Sequence, residues 1–288
     1  MQWNLLQCQS SKDVQANLSF IESQLKQLPR ESDEPQLVVL PECSLLFGGH
    51  ESEQLKYAGS RDDNPLADAL SKLAKQYQVY LIAGTIPYKA EPSQNTDTAD
   101  NAKSKVYSRC YAFDDKGQTL GHYDKIHLFD VEVADGTRSY RESDTFAAGE
   151  RITVIDTPFG KIGLAICYDL RFADLFRALR LQGADIIVLP SAFTKVTGQA
   201  HWQILLQARA IETQCYLLGA NQWGTHNQGS RETYGHSMIV DPWGNVVAVK
   251  PEQTGWLQAR IDMSEMKKIR QNMPVLGHNR FIEPKLTP

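Results

Sequence analysis

Residues 37–42 read LVVLPE and residues 186–191 read IIVLPS, and the reading of this near repeat decides the fold. Each is a short, continuous apolar run closed by proline and a polar residue, the pattern of a strand buried on both faces of a mainly parallel sheet. Each is followed by a helical stretch and a second apolar run, VYLIAGT at 79–85 and YLLGAN at 216–221. Both halves then carry a strand ending in Asp and a turn with Gly, AFDDKG at 112–117 and IVDPWG at 239–244. The physical reading is two similar β-α-β-β-β units whose sheets pack face to face with helices outside. Any α/β chain repeats such elements to some degree. With or without duplication the class is α/β, and the strand ends are where a site should lie.

Around these runs, residues 3–8 make a first strand. Val14, Leu18, Ile21, Leu25 and Leu28 step by four and three, one face of a helix with its start signal at Ser10 and Asp13 and its stop at Pro29. Asn64 and Pro65 open a second helix running to about Tyr77. The stretch 89–105, KAEPSQNTDTADNAKSK, has almost no apolar residue and reads as a surface loop inserted within a domain. VYSRCYAFD and TLGHYDK flank Asp115–Lys116–Gly117 as a hairpin.

In the second half ITVIDT and KIGLAIC are strands, and a helix runs from about Phe172 to Leu181 with Gly183 as its stop. A long helix is expected from about Gln199 to Thr213, opening at His201 and Trp202, with Arg209 and Glu212 on its polar face. SMIVD, VVAVK and WLQARID complete the β content, and residues 272–288 read as an irregular tail. The whole chain, 1–288, is expected to form one domain.

Of the 288 residues, 42% are hydrophobic, enough to bury a core without staples. The net charge is −4 and no basic run stands out, so neither nucleic acid nor an anionic membrane is an expected partner. No window approaches the ~20 apolar residues of a membrane span, and the N-terminus lacks the pattern of a signal peptide. The five cysteines are scattered, odd in number and form no C-x-x-C. That pattern points to a reducing cytoplasm rather than a disulfide framework or a cysteine zinc site.

Three residues stand where chemistry would be placed. Cys167 ends the apolar strand KIGLAI and precedes a helix start, where unpaired N–H groups and the helix dipole favour thiolate and the next amide can face an oxyanion. By position alone it reads either as a nucleophile or as a small buried hydrophobe. Glu42 closes LVVLPE, where burial would raise a carboxyl toward general-base range; it reads equally as an end-of-strand acid. Cys43 beside it points the other way if the strand persists. Lys125 lies in YDKIHLF among apolar residues and could hold an oxyanion, or be a surface lysine. His127, two residues on, has no clustered partners and reads as a hydrogen-bonding or packing residue. Asp169 and Arg171 would form an ion pair fixing the turn after Cys167. Neither G-x-S-x-G, a P-loop nor G-x-G-x-x-G occurs.

Taken in order, LPE with Glu42, YDKIHLFDVEV with Lys125 and GKIGLAICYDLRF with Cys167 resemble the nitrilase, or carbon–nitrogen hydrolase, superfamily across nearly the whole chain. PSAFTKVTGQAHW, ARAIETQCY and GHSMIVDPWG extend the match. The resemblance implies a four-layer α-β-β-α sandwich and a thiol-dependent hydrolase of linear amides that needs no metal and no organic cofactor. It implies Cys167 as nucleophile, Glu42 as general base, and Lys125 with the Tyr168 amide as oxyanion holders. Glu142 in YRES fits the second glutamate that members often carry after the lysine motif. The wording is nearest the branch of deaminated glutathione amidase and omega-amidase, whose substrates are glutamine-like amides with a keto group on the α-carbon. TYGHSM at 233–238 leans toward the former, with 2-oxoglutarate and cysteinylglycine as products.

Such a substrate carries carboxylates. Arg138 and Arg141, and the segment Phe193, Thr194 to Thr197, are positioned to bind them. A homodimer or higher homo-oligomer is expected by analogy with the family. A non-catalytic binding protein on this fold would be expected to have lost the nucleophile, and a thiol-redox role would call for a resolving cysteine, for which only Cys43 is a spatial candidate.

Overall fold

A computed structural model of the chain describes residues 1–30, 34–49, 51–90, 105–281 and 284. Most of the stretch expected as a surface loop, 91–104, lies outside the described residues, as does most of the tail beyond Phe281.

The apolar runs form the inner strands of two large sheets. In the first, Gln2–Gln7, Gln36–Val39 and Tyr80–Ile82 lie parallel and side by side. Val106–Phe113 continues that sheet antiparallel, and Gly255–Arg260 closes the other edge against Gln2–Gln7. In the second, Gly160–Leu164, Ile186–Ser191 and Tyr216–Asn221 are the parallel trio, continued antiparallel by Ser237–Val240 and Val246–Lys250 and closed by Val154–Thr157. The sequence of parallel and antiparallel neighbours is the same in both sheets. Helices Val14–Lys26 and Pro65–Gln76 connect the first trio, as Ala173–Leu181 and Lys195–Thr213 connect the second. The topology therefore repeats as the two apolar runs implied.

Alternation along each strand sorts side chains into layers, because successive residues point to opposite faces. Trp3, Leu5, Leu37, Val39 and Ile82 face the second sheet and share a core with Leu164, Val188 and Leu218. Their neighbours Leu6, Val38, Leu40 and Leu81 face outward onto Ile21, Leu25, Leu66 and Leu70 of the first two helices. Trp3 meets Tyr216 edge-on across the sheets with ring centroids 5.2 Å apart. The result is helices, sheet, sheet, helices. Burying each such large side chain contributes about 1.5–3 kcal/mol, so this double core dominates the stability.

Three local expectations change. The long helix starts at Lys195 rather than near Gln199, because Thr194 caps it by accepting from the Thr197 amide. Gly198 lies inside its first turns, where a Cβ would stand 2.3 Å from the Cβ of Tyr234. Arg209 is not on a polar face: it is buried, donating to the carbonyls of Leu170 and Arg171 while pairing with Glu212. The tail has local order, since Val275–His278 forms a helical turn and the carbonyls of Met273 and Phe281 accept from Gln214 and Arg177.

Candidate active site

Both halves bring strand ends to one cavity of about 790 Å³, counted out to open solvent. Glu42, Lys125, Glu142 and Cys167 all line it, together with Tyr168, Phe193, Thr194 and Thr197.

Glu42 follows strand Gln36–Val39, which ends before it, so the chain can turn. Gly84 makes that turn possible. Its φ is +65°, and a Cβ there would lie 2.1 Å from the Pro41 carbonyl oxygen. The Glu42 carbonyl accepts 3.0 Å from Nε2 of Gln222, a buried residue of the other half. The strand does not persist through Cys43, whose φ is +56°. Contrary to the alternation expected from the sequence, Cys43 lines the same cavity as Glu42.

Lys125 follows strand Thr119–Asp124 and is fixed at both backbone ends, donating to Ser108 and accepting from Gly149. Its Nζ donates to Glu42 Oε1 at 2.8 Å and to both Glu142 oxygens at 2.9 Å. Glu142 opens a short 3-10 turn and also accepts from the Phe129 amide at 2.6 Å. Burial works against the Lys125 ammonium, but the Glu142 and Glu42 carboxylates outweigh it and hold its pKa well above the usual lysine value. Burial pushes the Glu142 carboxyl up, opposed by Lys125.

Cys167 begins a 3-10 helix, Cys167–Arg171, with φ +45°, a left-handed backbone that costs a non-glycine residue about 1–2 kcal/mol. The expectation that a helix start would favour thiolate is reversed: burial first, then the Glu42 charge, push the thiol well above its ordinary pKa. The short helical turn is too small a field to offset desolvation in a buried site beside a carboxylate. The Tyr168 amide precedes the first internal bond of that turn, from the Asp169 amide to the Ile166 carbonyl. An amide so placed has no partner within the turn and is available to an oxyanion.

Asp169 anchors the turn, but not through Arg171. Its fully buried carboxylate accepts from the Ile166 amide and the Tyr123 hydroxyl, each at 2.8 Å. It also accepts from the His127 amide at 3.2 Å and lies 2.7 Å from His127 Nδ1. These bonds occupy both oxygens. Arg171 instead turns toward the rings of Tyr168 and Phe193 and lines the cavity. His127 packs flat on Phe172 at 3.7 Å, in keeping with a packing role.

Arg138 and Arg141 are not brought to the cavity. Both are exposed; Arg141 pairs with Glu132, and Arg138 lies on a separate surface depression with Asp135. The cavity's arginines are Arg171 and Arg231. Sequence reading missed Arg231 because it lies on the short hairpin Trp223–His226 and Arg231–Tyr234, whose strands lack an apolar run. Gln222 and Asn221 were also missed. The Asn221 carboxamide oxygen accepts from the Phe193 amide at 3.0 Å and so fixes the loop that carries Phe193. Their one signal was a polar pair closing the apolar strand YLLGAN–Gln222.

A buried thiol beside a carboxylate–ammonium–carboxylate cluster, at the meeting of two α/β halves, defines a class. The chain belongs to the carbon–nitrogen hydrolase family, whose model matches residues 4–271. It is 45% identical over 278 residues to the deaminated glutathione amidase of Yersinia enterocolitica, covering 96% of this chain and 92% of that one. It is 35% identical over 276 residues to the omega-amidase NIT3 of Saccharomyces cerevisiae, covering 94% and 90%. Among solved structures, Saccharomyces cerevisiae Nit3, a member of branch 10 of the nitrilase superfamily, matches with TM-score 0.81 and 33% identity over 98% of this chain and 97% of that one. The architecture is accordingly the mixed α/β fold of that superfamily, and the chain is a carbon–nitrogen hydrolase acting on amides.

Proposed function

We propose that this enzyme hydrolyses the amide of deaminated glutathione to 2-oxoglutarate and cysteinylglycine through a Cys167 thioester. The observation that carries this reading is the buried cluster in which Lys125 bridges Glu42 and Glu142 on the cavity that Cys167 lines. The cluster holds two carboxylates and one ammonium, so ionising the thiol outright would add a second uncompensated negative charge. Passing the thiol proton to Glu42 leaves the total unchanged, and that transfer accompanies attack on the carbonyl carbon. Lys125 and the Tyr168 amide then hold the oxyanion. Collapse expels the amine with the proton from Glu42. Water gives a proton to Glu42 as it attacks the thioester, and 2-oxoglutarate leaves as the thiol re-forms.

Glu142 orients Lys125 as a positioning residue. Arg171, Phe193, Thr194 and Thr197 line the same cavity as Tyr168, with Arg171 by the Tyr168 and Phe193 rings, and the keto-acid end of the substrate would lie there. Release of 2-oxoglutarate from deaminated glutathione and from 2-oxoglutaramate tests the reading. Faster turnover of the glutathione derivative, abolished by Cys167→Ala, is expected. Preference for 2-oxoglutaramate would move the assignment to omega-amidase, the second reading, supported by the likeness to the yeast enzyme. Release from neither would overturn the substrate.

We further infer a homodimer in the cytoplasm. The outer face of helix Lys195–Thr213 exposes Val196, Ile204 and Ile211, with Trp243 also exposed, apolar surface that an isolated chain would leave in water. The five free cysteines accord with a reducing compartment. A monomer mass by light scattering at micromolar concentration would overturn the dimer.

A further inference from the structure

The cavity holds a second guanidinium that the acyl chemistry does not use. Arg231 projects from the hairpin Arg231–Tyr234 and is held by rings, with its Cζ 4.5 Å from the centroid of Phe47 and 5.2 Å from that of Tyr140. Each ring is itself fixed. Phe47 packs edge-on to the buried His226 at 4.3 Å, and the Tyr140 hydroxyl donates to Asp135 at 2.8 Å. The neighbouring loops are tied as well, since the Thr137 hydroxyl donates to the Ser230 carbonyl. Ring faces hold a cation without consuming its N–H groups. Accordingly, Arg231 Nε is buried without a hydrogen-bond partner among the described residues. The guanidinium as a whole lines the cavity, so an acceptor that arrives with the ligand can reach its terminal N–H groups.

The side of the cavity matters. Arg171 belongs to the turn of Cys167 and lies by Tyr168 and Phe193, on the oxyanion side. Arg231 lies over Phe47, on the segment that follows Glu42 and Cys43, and all of these line the cavity. Glu42 is the group that returns a proton to the departing nitrogen, so the leaving amine lies on the Glu42 side. Two cations thus line the cavity, one on the turn of Cys167 and one over the segment that follows Glu42.

Resting on the substrate reading above, we propose that Arg231 binds a carboxylate carried by the leaving amine, and that this clamp selects amides of carboxylated amines over primary amides. A guanidinium fork matches a carboxylate by two parallel hydrogen bonds, which a carboxamide cannot reproduce.

The test compares deaminated glutathione with the same compound capped as its C-terminal carboxamide. For wild type, kcat/KM is expected to favour the free acid by about 10- to 100-fold, the size of a charge-assisted pair, with the difference in KM. Arg231→Gln is expected to flatten that ratio toward one, and Arg231→Lys to retain part of it. Equal turnover of both compounds by wild type would overturn the clamp without any variant, and so would a preference that persists in Arg231→Gln. Wild type that hydrolyses neither would instead sink the substrate reading on which the clamp rests.

Discussion

Lys125 and the three side chains around it, Glu42, Glu142 and Cys167, act as one charge system, and single substitutions should reveal it. Glu142→Gln removes a carboxylate from Lys125 and leaves its Nζ bound chiefly to Glu42. A fall in kcat of about 10²- to 10³-fold with KM nearly unchanged is expected, the cost typical of disturbing an oxyanion donor. An unchanged kcat in steady-state assays would show that Glu142 does not position the lysine. Asp169→Ala strips partners from Ile166, Tyr123 and His127 at once. It should cost about 3 kcal/mol or more in urea unfolding, as buried donors lose their shared acceptor. Because the Cys167 thiol is held well above its ordinary pKa, thiol form persists through neutral and mildly alkaline solution. Alkylation of Cys167 by iodoacetamide should therefore lack the inflection near pH 8.5 that a free cysteine shows. At this scale Glu42 and Cys167 were legible because each closes or follows an apolar run, and Lys125 because it stands among apolar and aromatic residues rather than in a charged run. Arg231 was not, because a lone arginine in a polar segment carries no local signature of the rings that will meet it.

Elements set the distances between these groups, and the inner ones were the most readable. LVVLPE, IIVLPS and YLLGAN are continuous apolar stretches because both faces are covered, a property visible in one dimension. The hairpins Asp130–Glu132 with Ser139–Arg141, and Trp223–His226 with Arg231–Tyr234, were illegible for the opposite reason. Their short strands alternate exposed polar residues, and their pairing is decided by contacts remote in sequence. The loop crossing at Gly84 gives an element-scale prediction. Gly84→Ala sets a Cβ against the Pro41 carbonyl at a positive φ, at a cost of about 2–4 kcal/mol. Relief by moving the Pro41–Glu42 turn should also cut kcat/KM, read by assay and thermal melt on the same sample. Loss of stability with full activity would show that the turn yields elsewhere.

For the whole molecule, pH acts through groups that burial keeps neutral. Cys8 and Cys43 are pushed up to about 12, chiefly by burial, and Cys110, Cys167 and Cys215 are raised as well. In the unfolded chain these thiols would ionise near 8.5, so above that pH the unfolded state binds fewer protons than the native one. Stability is then complete below about pH 8.5 and falls as pH rises toward 12, by about 1.4 kcal/mol per unit for each such thiol. His226 acts in the other direction. Burial lowers its pKa to about 4, its Nδ1 faces the Ser10 carbonyl, and its Nε2 faces the Thr233 hydroxyl. The native state excludes a proton that the unfolded histidine takes up below about 6.5, so stability is lost between about pH 6.5 and 4. Urea midpoints at pH 5, 7 and 9.5 should form a dome. A His226→Gln variant should flatten its acid side, and a flat profile in the parent would refute both assignments.

The tie from Gln222 to the Glu42 carbonyl joins parts of the chain 180 positions apart, and Glu42 and Cys167 belong to the two halves that meet at that seam. On the proposed mechanism neither repeat alone would be an amidase. Regained turnover during renaturation should therefore lag behind regained secondary structure, and the reaction itself becomes a clock for the moment at which the two repeats close on one another.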